Sequence, residues 1–442
     1  MLQAVRNAFL LPSLRRKIVF TLLILIVYRI ASQIPIPQVN QEALQALTSG
    51  GAGGLEVLQF LDLLSGGALL QFSVLAMGVY PYITASIIMQ LLTPMIPALE
   101  ELSKEGEQGR NKINQYTHWL SVPLAALQAF GQVTIAQQSF SGVITDFGFS
   151  IDPLGTLATI CAMTAGSMFA IWLGELITEQ GIGNGVSIII FGGIVADLPR
   201  RIWQFIQLQD YVTLVIFLII TIITMAVIVI VSEGQRRIPV QYGKRVRGNK
   251  VYGGQSTHIP LRVNSSGMIP LIFAQSILIF PSSIAGFFTT SENTAIRSIA
   301  LFIYENFSPQ LDAWPYWITY FLMVVLFTFF YTEIIFKQQN LAENLQRQGG
   351  FIPGLRPGKT TESYLISVMR RITLVGAVFL GLVAILPWIV HLVPGVGGAN
   401  SQQTSTLLIT SSGLLIVVGV ALDTMKQLEA QLVMRRYEGF IK

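Results

Sequence analysis

Residues 211–250 run YVTLVIFLIITIITMAVIVIVSEGQRRIPVQYGKRVRGNK, and the break inside this stretch decides the fold. The first part, 211–231, carries no charge and is long enough to cross a bilayer as a helix, which takes about 20 apolar residues. The second part abruptly gathers Arg236, Arg237, Lys244, Arg245, Arg247 and Lys250. Lipid rejects a cationic run of that density, and water rejects an apolar run of that length. The pair reads as a membrane span followed by a basic segment on one face of the membrane.

The same alternation extends in both directions. The chain of 442 residues is 52% hydrophobic and only 12% charged, against about a quarter charged in soluble domains, and its mean hydropathy is +0.60. Apolar runs predict ten spans, at about 18–35, 75–93, 118–137, 155–176, 186–206, 211–231, 267–288, 315–336, 372–392 and 405–424. Of the 28 Lys and Arg residues, all but Arg29, Arg200, Arg201 and Arg297 then fall in the two tails and the loops 95–117, 232–264 and 337–371. Positive charge marks the cytosolic side, so both termini are read as cytosolic. Loops 232–264 and 337–371 hold more charge than orientation alone needs, which points to a large anionic or acidic partner there.

Ten spans split into halves at 1–206 and 207–442, and five spans per half place the halves in opposite orientations. That permits an inverted repeat with a path at the interface, although no sequence identity between the halves is visible. The start reads as a retained first span rather than a cleaved signal, because its apolar run is long and no small-residue cleavage site follows. The segment Leu55–Ser73, LEVLQFLDLLSGGALLQFS, differs from the spans. It has helical spacing but is too short to cross, so it is either interfacial or re-entrant.

Catalytic chemistry is hard to find. Cys161 is the single cysteine, and His118, His258 and His391 lack ligand spacing, so neither a disulfide within the chain nor a cysteine metal site can form. Gly354–Thr360 imitates a phosphate loop, but it has one residue too few between its glycines and Pro357 removes a donor. Gly181-Ile-Gly-Asn-Gly185 reads as a tight interhelical turn. No cofactor is expected. Ion-coupled transporters bury ionisable groups at mid-membrane, whereas here Arg29, Glu175 and Asp423 lie near span ends. The spans offer instead the neutral Thr84, Ser86, Gln90, Gln128, Gln275 and Ser276, suited to hydrogen bonds between helices. A transported species would therefore pass an aliphatic path, with an ion-coupled secondary transporter as the alternative reading.

Several segments together carry a specific resemblance. Ser65-Gly-Gly-Ala-Leu, Gly78-Val-Tyr-Pro-Tyr-Ile-Thr-Ala-Ser-Ile-Ile-Met-Gln-Leu-Leu92, Lys104-Glu-Gly-Glu, Gly181–Ile190, Gln255-Ser-Thr-His-Ile-Pro-Leu and Phe351-Ile-Pro-Gly-Leu-Arg-Pro-Gly358 are similar to the SecY family. Members of that family form the central subunit of the bacterial Sec protein-conducting channel. The resemblance covers essentially the whole chain in order. The ending Gln431-Leu-Val-Met-Arg-Arg-Tyr-Glu-Gly-Phe resembles the Gram-positive, cyanobacterial and plastid branch.

What the resemblance implies can be stated residue by residue. The fold is an all-α integral membrane protein, two inverted five-helix halves around a central pore that opens sideways. A ring of aliphatic side chains falls on Val79, Ile83, Val186, Ile190, Ile272 and Ile416. A re-entrant plug helix covers about 61–72, including Leu63, Leu64, Ser65, Gly66, Gly67 and Leu69. A lateral gate lies between the second and third spans on one side and the seventh and eighth on the other, with Thr84, Gln90, Gln128 and Ser276 at its seam. Arg237, Lys244 and Arg356 contact the ribosome or the motor ATPase SecA. The function implied is passive passage of unfolded secretory chains and lateral release of membrane segments into lipid. Small membrane subunits SecE and SecG, signal peptides and nascent chains are the further partners, in the bacterial plasma membrane or a thylakoid membrane.

Overall fold

The computed structural model describes residues 11–37, 39–40, 72–139, 147–149, 151–207, 211–242, 245–247, 250–252, 256–288, 293–307, 313–339, 341–392 and 401–438. A helix lies over each apolar run read as a span. Helix α1 is Pro12–Ala31 and α2 is Tyr80–Leu92, followed after a 100° bend by α3, Pro97–Lys104. Then come α4 (Glu107–Ser139), α5 (Pro153–Gln180), α6 (Gly185–Gln207) and α7 (Tyr211–Glu233). Strands β1 (Gln235–Tyr242), β2 (Arg245–Arg247), β3 (Lys250–Tyr252) and β4 (Ser256–Arg262) precede α8 (Ile269–Phe288), α9 (Thr294–Phe307) and α10 (Trp314–Gln339). The chain continues through α11 (Leu341–Arg347), β5 (Gly350–Phe351), α12 (Lys359–Ala384), α13 (Leu386–His391) and α14 (Ser401–Glu438).

Local chemistry sets the helix ends. Proline opens α1, α2, α3 and α5, where its missing N–H costs nothing. Asp152 caps α5 by accepting the Gly155 N–H at 3.1 Å, and Asn184 caps α6 through the Ser187 N–H at 3.2 Å. Thr93 closes α2, its hydroxyl donating to the Met89 carbonyl at 2.7 Å. Among the described residues, α5, α12 and the stretch Trp314–Arg347 are long and apolar enough to cross a membrane, with the bent pair α2–α3 as a fourth candidate.

The helices pack into two groups. In one, α2 packs on α4, α4 on α5, α5 on α6, and α1 on α5 and α6. In the other, α8 packs on α10, α10 on α12, α12 on α14, and α7 on α14. Residues 72–79 thread the first group as turns: Leu75, Ala76 and Met77 are 1% exposed, and Phe72 and Gly78 take positive φ of 44° and 49°. Gly166 lets α5 press against this segment, since a Cβ there would lie 2.1 Å from the Val74 carbonyl oxygen. The second core is aromatic, with Tyr316, Trp317 and Tyr320 buried against Leu271, Leu380 and Leu415.

Two expectations change. The basic loops are not irregular, so the all-α expectation fails there: β4, β1 and β5 form an antiparallel sheet, with β2–β3 as a separate hairpin. The run 372–392 is also not one helix. Helix α12 begins at Lys359 because Thr361, Leu365, Val368 and Met369 are buried beneath the sheet. It ends at Ala384, where Pro387 starts α13. The Gly181–Gly185 turn forms as expected, with Gly183 at φ +81°.

Gly166→Ala is expected to lower stability by about 2 kcal/mol or more, because backbone, not a flexible side-chain tip, blocks the new methyl. Thermal unfolding of the purified protein checks this, and an unchanged midpoint would contradict the close approach.

Candidate functional site

The expected aliphatic ring is drawn from four helices. Val79 is fully buried at the start of α2, and its carbonyl accepts the Ile83 N–H at 3.2 Å, which stacks the two one turn apart. Val186 and Ile190 are likewise one turn apart on α6. Val79, Ile190 and Ile416 of α14 belong to one buried cluster, with Ile83 and Val186 packed against it. Ile272 is 6% exposed on α8 but sits outside that cluster. Met268, one turn earlier, joins it instead. The ring positions themselves are all Val and Ile, whose side chains offer a passing species neither charge nor hydrogen bonds.

The neutral polar residues make hydrogen bonds between and within helices. Gln128 Nε2 on α4 donates to Thr84 Oγ1 on α2 at 3.4 Å, and Thr84 in turn donates to the Tyr80 carbonyl at 3.1 Å. Gln90 Nε2 donates to Ser86 Oγ within α2 at 3.1 Å. The first of these bonds ties α4 to α2, and the other two lie within α2. Ser276 lies in α8, and Gln275 is 6% exposed on the same helix.

The contact between α2 and the second group is apolar. Ile87, Phe273 and Tyr331 are buried together, flanked by Ile83 and Leu91 of α2, Ile269 of α8, and Phe327 and Ile335 of α10. Phe273 is 1% exposed and meets Phe327 and Tyr331 edge-on, with ring centroids 5.8 and 5.9 Å apart. Each helix presents a stripe at four-residue spacing, a signal visible in the sequence that attention to polar residues passed over.

The plug positions Leu63, Leu64, Ser65, Gly66, Gly67 and Leu69 lie outside the described residues, as does Lys244. The chain just after the expected plug is described. Ser73 bridges Pro35, the Ile36 N–H donates to the Phe72 carbonyl at 2.9 Å, and the Val74 N–H donates to the Ile34 carbonyl at 2.8 Å.

The two basic loops form one block. Gln241 pairs with Phe351 and Tyr242 with Gly350, so β5 from loop 337–371 adds to β1 from loop 232–264. Ile238 and Val240 point inward, onto Leu261, Phe336, Leu345, Ile352 and Leu365. Arg237, opposite Pro260 in the ladder, therefore points outward by strand alternation and is exposed. Arg356 is exposed on a turn in which the Leu355 N–H meets the Ile352 carbonyl at 3.1 Å. Thr361 Oγ1 donates to the Arg356 carbonyl at 2.8 Å, and Gly354 and Gly358 take φ of 85° and 107°. A two-residue strand, β5, precedes this turn, but it is antiparallel to β1 and gives no phosphate-binding βαβ unit.

Of the charged residues near span ends, Glu175 Oε1 lies 2.7 Å from His118 Nε2, and the Tyr82 ring rests 5.2 Å from that imidazole. This joins α2, α4 and α5. Lys426 pairs with Glu233 at 2.7 Å and joins α14 to α7.

Phe273→Ala should cost about 3–5 kcal/mol, the usual loss for a buried Phe, and Phe273→Leu clearly less. Unfolding of the two variants side by side tests the ranking; equal stability would show that the edge-on contacts contribute nothing.

Comparison with known proteins is consistent with this arrangement. The SecY family model matches residues 73–425. The chain is 44% identical to the protein translocase subunit SecY of Halalkalibacterium halodurans, 43% to that of Streptomyces coelicolor and 42% to that of Thermotoga maritima. Each alignment covers 100% of this chain and at least 98% of the relative. In fold it is similar to a solved protein-conducting channel, with TM-score 0.64, 19% identity and coverage of 95% of this chain and 93% of that one. It is also similar to Sec61 in the canine ribosome–channel complex, with TM-score 0.60, 17% identity and coverage of 95% and 93%. No support for a solute transporter emerges from these relatives. The chain belongs to the SecY family of protein translocase subunits, multi-pass proteins of the bacterial membrane.

Proposed function

We propose that this chain is the pore of a passive translocase in the bacterial plasma membrane, with ten spans in two inverted five-helix halves, 1–206 and 207–442. The observation that carries the reading is the buried apolar cluster that brings Val79, Ile190 and Ile416 together, with Ile83 and Val186 packed against it. Val79, Ile83, Val186, Ile190, Ile272 and Ile416 would form its collar. A narrow aliphatic constriction sheds continuous water and hydrated ions by dewetting, yet gives an unfolded chain nothing to bond to. The plug about 61–72 would close the outer funnel, rooted at Phe72–Ser73.

The order of neighbours supports the two-half arrangement. The series α2–α4–α5–α6, closed by α1, matches α8–α10–α12–α14, closed by α7. Exposure supports the spans: Leu22, Leu23, Ile26 and Ile30 of α1 and Ile219, Ile222, Ile223 and Ile230 of α7 face outward, a surface that suits lipid and not water. Trp119 and Trp172 on one side and Trp203 and Trp314 on the other are exposed, as interfacial tryptophans are.

Lateral release would proceed between the α2–α4 pair and α8–α10. Thr84, Gln90, Gln128 and Ser276 border that opening, and the Ile87–Phe273–Tyr331 stripe closes it. A segment of about 20 apolar residues gains by moving through it into lipid. The block bearing Arg237, Lys244 and Arg356 would dock SecA or the ribosome; a phosphate-rich partner should bind less as salt rises. SecE and SecG complete the assembly, and the driving energy comes from the docked partner.

Ile190→Asn and Ile416→Asn are expected to wet the collar, raising ion leak and export of preproteins with defective signals. Unchanged values of both would remove these residues from the constriction. Arg356→Glu is expected to reduce SecA-driven translocation in vesicles much more than it reduces the amount of inserted protein, and equal losses would refute the docking role.

A further inference from the structure

The turn Gly181–Gly185 has so far explained only how α5 turns back into α6, yet its surroundings are unusually tight. A Cβ on Gly185 would fall 1.7 Å from the Gly174 carbonyl oxygen, so the start of α6 lies backbone-on-backbone against α5. The Gly185 N–H donates to Thr178 Oγ1 at 2.9 Å, and Asn184 caps the helix. These contacts fix where α6 begins, one residue before Val186. On its other side the turn meets α14, from the second group. A Cβ on Gly183 would lie 3.2 Å from Thr424 Oγ1 and 2.8 Å from Ile188 Cδ1. The Thr424 hydroxyl is already committed to the Val420 carbonyl at 2.6 Å, so its approach to Gly183 is a matter of space and not of bonding. Next to it, Ile182 is buried with Leu14 of α1 and Leu428 of α14.

Thr424 lies eight residues beyond Ile416 on one helix, about 12 Å along the axis. The same turn thus seats the start of α6 and stops α14 at a set distance from it. We infer that Gly183 is a positioning residue for the collar: its bare Cα fixes the separation of α6 and α14, and through them Val186, Ile190 and Ile416. The inference rests on the collar reading given above. It assigns the glycine motif a task beyond chain reversal, because a turn needs φ +81° at Gly183 but does not need α14 beside it.

The test measures ion leak per inserted channel in proteoliposomes of the full chain with its small membrane subunits. Gly183→Ala and Thr424→Leu are compared with Ile190→Asn and the parent. Thr424→Leu thickens the contact from the α14 side without asking any residue to hold a positive φ, so it serves where Gly183→Ala misfolds. Thr424→Ser, which keeps the hydroxyl and loses a methyl, should behave as the parent. The expected result is a leak raised roughly ten-fold or more for Thr424→Leu, with export of defective-signal preproteins raised alongside. Lowered thermal stability with parental leak, in a set where Ile190→Asn does leak, overturns the positioning role and leaves the collar standing. Parental leak in every variant, Ile190→Asn included, removes the collar itself.

Discussion

Apolar helices gain nothing by leaving lipid for one another, because hydrocarbon surrounds them either way. Close approach of backbones therefore has to hold this bundle together, and glycine is the residue that allows it. Gly166 admits the Val74 carbonyl, Gly174 and Gly185 admit each other, and Gly376 admits the Val263 carbonyl, a Cβ there falling 2.4 Å away. At Gly166, Gly185 and Gly376 one methyl would push two elements apart. The rest of the packing follows from these contacts: the buried turns of residues 72–79, the seating of α6, and the junction of α12 with the end of β4.

A second consequence of the lipid setting concerns where polarity is spent. Hydrogen bonds between side chains pair helices of the same group, as Gln128 with Thr84 and His118 with Glu175. Contact between α2 and α8–α10 is made by aliphatic and aromatic side chains. Hydrocarbon contacts at that boundary lose little when lipid or an apolar segment replaces them. A broken polar contact there would strand a donor or acceptor, at a cost of several kcal/mol in hydrocarbon. The division of labour is compatible with the sideways opening proposed above.

Much of this was legible in the chain. Apolar length and Lys/Arg placement located the helices, because the bilayer imposes both. The aliphatic positions Val79, Ile83, Val186, Ile190 and Ile416 could be named from the family resemblance, and all five lie in or against one large apolar cluster, with Ile272 outside it. Three things were not legible. The Gln241–Phe351 pairing joins segments far apart in the chain, and no local pattern announces it. Glu175 looked like an isolated end-of-span charge because its partner His118 sits on another helix. Ile87, Phe273 and Tyr331 are ordinary residues at helical spacing, and only the folded chain shows that they meet.

Helix α12 is a single uninterrupted rod from Lys359, inside the basic block, to Ala384, among the buried residues of the second group. Because β5 stitches the two loops into one body, a load applied to either is borne by the same shaft. A partner that gripped the exposed arginines, as proposed, would hold a handle whose far end is wedged between α10 and α14. Tilting that handle would turn half of the bundle as a unit, with no separate linkage needed.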